Sequence, residues 1–265
     1  MPTKFTRREA VGALLKGSLV CSTGLIASCA GVGLPGLSDI DTLMREGEEL
    51  YRAKRYDEAI AKFKQVVARQ PTHFMAWLWL CRTYIVKLLW RDAIDAGRQA
   101  FQLSPQGPEV LKTFLEALFG GGLHALTSGN FRESITHFGE YLKLDGNNGS
   151  AWLNVGKAYL GNQQFGEALK SLLSALGISG VDRGDVLRTM FSGGLQAFNA
   201  RDFNSTIGFM REYVKQDPRN LQAYVTLARS FWETGQTSNA LSAVGEALRI
   251  SPSNGEALQL LQKLR

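Results

Sequence analysis

The chain has 265 residues, 45% of them hydrophobic and 20% charged, which is too apolar for a disordered segment and ordinary for a folded one. Its 30 basic and 24 acidic residues give a net charge of +6, yet no dense Lys/Arg run gathers that excess into a stripe. A nucleic-acid surface is therefore excluded as a leading function.

Residues 1–28 read as an address and not as fold. A basic start (Lys4, Arg7, Arg8) precedes a short apolar stretch from Gly17 to Ser28, too short to span a bilayer as a helix. That stretch ends in Leu25-Ile26-Ala27-Ser28-Cys29, which resembles a bacterial lipobox. The resemblance implies cleavage before Cys29 and a diacylglyceryl group on its thiol, with the small Ala27 and Ser28 admitting the peptidase. An ordinary secretory signal that happens to hold a cysteine is the plainer alternative. Thr6-Arg7-Arg8 also resembles the start of a twin-arginine export signal, but Ala10 and Val11 stand where Phe-Leu is expected, so the export route stays open.

Removing 1–28 leaves 26 basic and 23 acidic residues, so half of the net charge belongs to the address. Cys21 leaves with it, Cys29 takes the lipid, and Cys81 remains as the one thiol, so no disulfide forms within the mature chain. Residues 29–39, with Gly31, Gly33, Pro35 and Gly36, read as a lipidated flexible tether. Ala30 after the cysteine, where Asp would retain the protein in the inner membrane by Gram-negative convention, suits the outer membrane facing the periplasm.

From residue 40 the chain repeats itself at a period of 34. Arg55-Tyr56-Asp57-Glu58-Ala59-Ile60, followed by Phe63 and Pro71, is the first unit, and its grammar returns around Trp90, Phe131, Phe165, Phe203 and Thr237. The units are 40–73, 74–107, 115–148, 149–182, 187–220 and 221–254. Repeat position 8 holds Gly47, Cys81, Gly122, Gly156, Gly194 and Ala228, and position 20 holds Ala59, Ala93, Ser134, Ala168, Thr206 and Ala240. Small residues there let two helix backbones approach closely. On these residues the sequence resembles the tetratricopeptide repeat family over about 40–254. The resemblance implies an all-α, right-handed superhelical solenoid of six helix-turn-helix units.

The units alternate. Position 11 reads Leu50, Tyr84, Ala125, Tyr159, Ala197, Phe231 while position 27 reads Val66, Ala100, Tyr141, Ala175, Tyr213, Ala247, so bulk on one side meets smallness on the other. Extra residues, 108–114 and 183–186, fall only after every second unit, so three pairs follow one another with altered twist at each joint. Ala257, Leu258, Leu261 and Leu264 follow helical spacing and predict a capping helix over 255–265.

In this family the first helix of each unit lines a concave groove, so the resemblance assigns partner contacts by repeat position. Those positions give Leu78, Trp79, Arg82, Ile85 and Val86, then Phe119, Leu123 and Leu126, then Leu153, Lys157 and Leu160. Arg188, Phe191, Leu195 and Phe198 follow, then Val225, Arg229 and Trp232. The groove is expected to be apolar, with four scattered basic side chains orienting an amphipathic helix or apolar segment of a protein partner. A subset of the family clamps a peptide's terminal carboxylate. Asn154 and Arg188 match two of those sites, but Phe119 and Leu123 replace the Lys and Asn of others, so the clamp is broken.

Chemistry is absent from the motifs. His73, His124 and His137 lack a metal-ligand spacing, and Gly120-Gly121-Gly122 follows helix and lacks the Lys-Ser/Thr of a phosphate loop. No nucleophile has a recognisable base. No catalytic residue, metal, cofactor or small-molecule substrate is therefore expected. The sequence reads as a lipid-anchored envelope scaffold resembling outer-membrane lipoproteins of the family, among them type IV pilus pilotins that help place a secretin. A periplasmic carrier shielding an apolar client is the alternative, and a regulatory enzyme subunit the third reading.

Overall fold

The structure, a computed structural model, describes residues 37–265, so the expected signal segment, Cys29 and the tether up to residue 36 lie outside the described residues. Among the described residues there are thirteen helices and no strand. They form helix-turn-helix units: α1 (Leu37–Arg52) with α2 (Tyr56–Arg69), α3 (Phe74–Val86) with α4 (Trp90–Leu103), and α5 (Pro108–Thr127) with α6 (Phe131–Leu144). The next are α7 (Gly149–Gly161) with α8 (Phe165–Leu176), α9 (Arg183–Asn199) with α10 (Phe203–Gln216), and α11 (Leu221–Glu233) with α12 (Thr237–Ile250). A last helix, α13 (Gly255–Leu264), packs on α11 and α12 and closes the array.

One turn design joins the two helices of every unit. Repeat position 15 is left-handed in all six: Lys54, Leu88, Gly129, Gln163, Arg201 and Gly235 have φ between 58° and 76°. The next residue's N–H then reaches the carbonyl five residues back, as in Arg55 to Leu50 (2.8 Å), Leu89 to Tyr84 (2.9 Å) and Gln236 to Phe231 (2.8 Å). This is the Schellman closure, which satisfies the last carbonyls of the first helix without a side-chain cap. Between units the helices start on side-chain caps instead, except α5, which starts at Pro108 after Gly107. His73, Asn148, Asp182, Asn220 and Asn254 each accept a hydrogen bond from the backbone N–H three residues on, at 2.9 to 3.2 Å.

Within a unit, position 8 meets position 24. A Cβ at Gly122 would lie 2.9 Å from the Phe138 ring, and one at Gly156 3.0 Å from Leu172. Unit two departs from this: Cys81 stands at position 8 with Gly97 opposite it, an added Cβ there lying 3.1 Å from the Cys81 Sγ, and the space a large position-24 side chain fills elsewhere is taken by Phe114 of α5, 2.8 Å from that Cβ. Cys81 is fully buried, its thiol 3.9 Å from the Thr113 carbonyl, and burial pushes its pKa up to about 12.

The alternation between odd and even units has a polar component as well. Tyr141 contacts Phe119 (5.7 Å between ring centroids) and accepts a hydrogen bond from Asn148, the residue that caps α7 (2.8 Å). Tyr213 repeats this with Phe191 (5.1 Å) and Asn220, the cap of α11 (3.1 Å). Each tyrosine thus ties the second helix of an odd unit to the first helix of its even partner. Even units carry alanine there, Ala100, Ala175 and Ala247, all buried.

The extra residues are helical. α5 starts at Pro108, 34 residues after Phe74 starts α3; α9 starts 34 after α7, and α13 starts 34 after α11. Each therefore stacks on the preceding pair in the ordinary register. α5 then runs to 20 residues and α9 to 17, against 13 for α3, α7 and α11. The surplus of seven and of four residues is close to two turns and one turn at about 3.6 residues per turn, so the buried face returns to phase before the next helix pairs with it. α5 is consequently used twice. Val110 clusters with Leu78 and Ala100 of unit two, whereas Gly122 packs on Phe138 and its carbonyl accepts from Ser134 Oγ (2.9 Å) in unit three.

Candidate functional site

The expected groove residues divide into three groups. Leu78 is 2% exposed and Leu153 5%, and Leu160 and Val225 are also buried, so these four are interior contacts and present nothing to a partner. The reason is the stacking register: the helix that comes after an even unit covers its position 5, as Val110 covers Leu78, and α9 also reaches position 12, an added Cβ at Gly193 lying 2.9 Å from Leu160. Ile85, Phe119, Leu123, Leu126, Phe191, Leu195 and Phe198 are half-buried, and Trp232 is 38% exposed. Trp79 is half-buried, stacked on Phe63 (5.8 Å) with its edge to Tyr51 (5.2 Å), and its indole N–H is buried without a hydrogen-bond partner.

The basic side chains form the third group, and they differ from expectation. None is a free charge awaiting a ligand. Arg82 lies over the Trp79 ring (5.3 Å) and pairs with Glu109, Lys157 pairs with Asp185 (2.8 Å), and Arg188 lies 3.6 Å from Asp182 and 3.7 Å from Asp185. Arg229 lies over Phe198 (5.0 Å) and 3.9 Å from Glu256. Arg82, Lys157 and Arg229 share repeat position 9 of the even units, and each partner sits in the first turn of the next helix. Sequence reading counted the cations and passed over the acids, two of which, Glu109 and Asp185, lie in the extra residues. The groove is apolar with neutral ion-paired crossings at the joints, and it offers no positive track.

Sequence reading also missed a trough beside the first joint. Its volume is about 640 Å³, and Leu111, Lys112, Leu115, Glu116 and Phe119 of α5 line it with Ile85, Trp90 and Tyr141. Because α6 pairs only with the later part of α5, the first two turns of α5 overhang unit three and leave this flank uncovered. The signal was legible as Leu111, Leu115 and Phe119 at helical spacing, once the extra residues 108–114 are read as helix. Another hollow, of about 390 Å³, at the next joint is lined by Lys157, Leu160, Gly161, Arg188, Thr189, Ser192 and Gln196.

Among the described residues no group of three or more His, Cys, Asp or Glu is placed to hold a metal ion. His137 sits on α6 facing Gly121 of α5, and burial lowers its pKa despite Glu133 at 3.6 Å. No helix among the described residues is long and apolar enough to cross a membrane.

With this geometry in place, comparison with known proteins gives the class. Tetratricopeptide repeat models match residues 44–108, 119–182 and 221–254, and the chain belongs to the tetratricopeptide repeat family. Unit 187–220 lies outside those matches, yet α9 and α10 supply it. The chain is 32% identical over 93 residues to the cytochrome c-type biogenesis protein CycH of Pseudomonas aeruginosa, covering 35% of this chain and 22% of that protein. It thus spans about a fifth of that relative's length. Among solved structures, that of Naa15/Naa10 bound to HypK-THB matches with TM-score 0.52 and 14% identity over 87% of this chain and 34% of that one. The type IV pilus biogenesis factor PilW matches with TM-score 0.35 and 17% identity over 84% and 98%. At 14% identity the likeness to the Naa15/Naa10 structure is one of fold. Proteins of this family are generally scaffolds for protein–protein interaction and not enzymes.

Proposed function

We propose that the chain is a lipid-anchored scaffold of the bacterial envelope whose groove holds an apolar or amphipathic helical segment of a partner protein during assembly of an envelope complex. A pilus or secretion secretin is one such complex. The observation that carries the reading is the line of half-buried apolar side chains from Ile85 through Phe119, Leu123, Phe191 and Phe198, ending on the exposed Trp232, on a fold suited to protein partners. Neutral ion pairs at the joints favour an apolar segment over an acidic one. Support for the anchor is the Leu25 to Cys29 sequence, and the matched region of a cytochrome c-type biogenesis protein agrees with an assembly role.

Photo-crosslinkers at Phe119 and Phe191 in the native envelope test the groove, with Leu173 and Leu241 on second-helix surfaces as controls. Adducts with one fixed membrane complex are expected from the first two positions. Adducts confined to the controls refute the groove, and many transient clients favour the carrier. Palmitate labelling is expected to vanish in Cys29→Ala, and retained labelling removes the anchor.

A further inference from the structure

We infer that the trough beside the first joint is the seat of a helical partner segment carrying one acidic and one basic side chain, a turn apart, alongside its apolar strip. This rests on the reading that the groove binds a protein segment, and it names where and with what polarity. Leu111, Leu115 and Phe119 follow one another every four residues along α5 and form the floor, and Ile85, Trp90 and Tyr141 line it with them. That floor is about 12 Å long at about 1.5 Å per residue, the span over which an amphipathic helix offers two or three anchors. The volume, about 640 Å³, lies in the range of pockets that bury a ligand's apolar groups.

The rim supplies the polarity. Lys112 and Glu116 run beside the floor, both exposed, and among the described residues neither forms an ion pair. This sets them apart from Arg82, Lys157, Arg188 and Arg229, each of which already has a carboxylate. With the base N-terminal to the acid at a four-residue spacing, the two are in the less favourable order for pairing with each other. A positive point therefore stands one turn from a negative one beside an apolar strip. An anionic lipid or a nucleic acid would gain from Lys112 and lose as much to Glu116. A helix with one charge of each sign gains from both.

Two synthetic helices of identical composition are the probe, with leucines at the same three positions one turn apart and one Glu and one Lys in opposite orders beside them. Binding to the full chain is measured by fluorescence anisotropy. The wild type is expected to prefer one order by about fivefold, from two rim pairs of modest strength. The double variant K112E/E116K, altered only at exposed positions, is expected to prefer the other, and Leu111→Lys is expected to lose both. Equal binding of the two orders, or a preference that the exchange leaves unchanged, overturns the polarity while loss in Leu111→Lys keeps the groove reading. Undiminished binding to Leu111→Lys, or no binding to the wild type, overturns the seat itself. The crosslinks from Phe191 then judge the groove separately.

Discussion

Trp90 covers Gly120 so closely that a single added Cβ would overlap its indole ring, and this contact explains a run of three glycines. At Gly121 an added Cβ would lie 2.7 Å from Ile94 Cδ1, and at Gly122 2.9 Å from Phe138. The run marks where α5 is pressed by α4 on one side and α6 on the other. Gly120→Ala is expected to cost about 2 kcal/mol by overpacking, whereas Gly245→Ala, with nothing within 4 Å, gains up to about 1 kcal/mol of helix propensity. Urea unfolding of the two variants compares them directly; equal midpoints would contradict the clamp.

The left-handed turns give a second pair of expectations. Leu88 has φ 58° and is 66% exposed, so Leu88→Gly relieves the backbone and removes a solvated apolar side chain. Its melting temperature should rise, by the equivalent of about 1 kcal/mol, while Gly235→Ala at φ 72° should lower it by a similar amount.

At the second joint, Lys157 and Asp185 lie 2.8 Å apart with about a third of each side chain exposed. Lys157→Glu places like charges across α7 and α9, and adding Asp185→Lys restores an opposite pair. A double-mutant cycle on thermal stability should return a coupling of roughly 1 kcal/mol or less, shrinking with salt.

His137 should make the fold sensitive to mild acid. Burial lowers its pKa below the ordinary 6.5, so the unfolded chain takes up a proton there before the folded one does. Stability is unaffected well above pH 6.5 and falls as pH drops through 6.5 toward the lowered folded value. Melting curves between pH 7.5 and about 5 should show a smaller loss in His137→Gln than in the wild type.

Cys81, with its pKa near 12, should resist thiol reagents while the protein is folded. In a chain with Cys21 and Cys29 replaced by serine, labelling should proceed at the rate at which unit two opens. Fast labelling under native conditions would show that this joint breathes.

Much of the architecture was legible in the sequence because it is local and repeated. The small residues at positions 8 and 20 and the alternation of Tyr141 and Tyr213 with Ala100 and Ala175 are properties of spacing, and they describe packing directly. The site was legible less fully. Leu78 and Leu153 carry the apolar character of groove residues, but a helix more than thirty residues away covers them. Arg82 and Lys157 look unpaired until Glu109 and Asp185 are recognised as helical, since an ion pair between stacked helices depends on where each begins. The trough was hidden for the same reason: extra residues between units, given no helix, have no face.

The double use of α5 and α9 bears on how such a chain can change its length. Because the helices beginning at Pro108 and Arg183 both seat on the pair before them in one register, the segment 108–182 can be lost without altering how the chain beyond it docks. Excising that segment would bring Arg183 directly after Gly107 and set α9 where α5 had been, with no new kind of interface. The natural cut points thus fall at helix starts and not at the unit boundaries 115 and 187, which lie inside helices. Gain or loss of a whole pair by recombination would leave the reading frame of contacts intact, while carrying away the trough that only the longer helix provides.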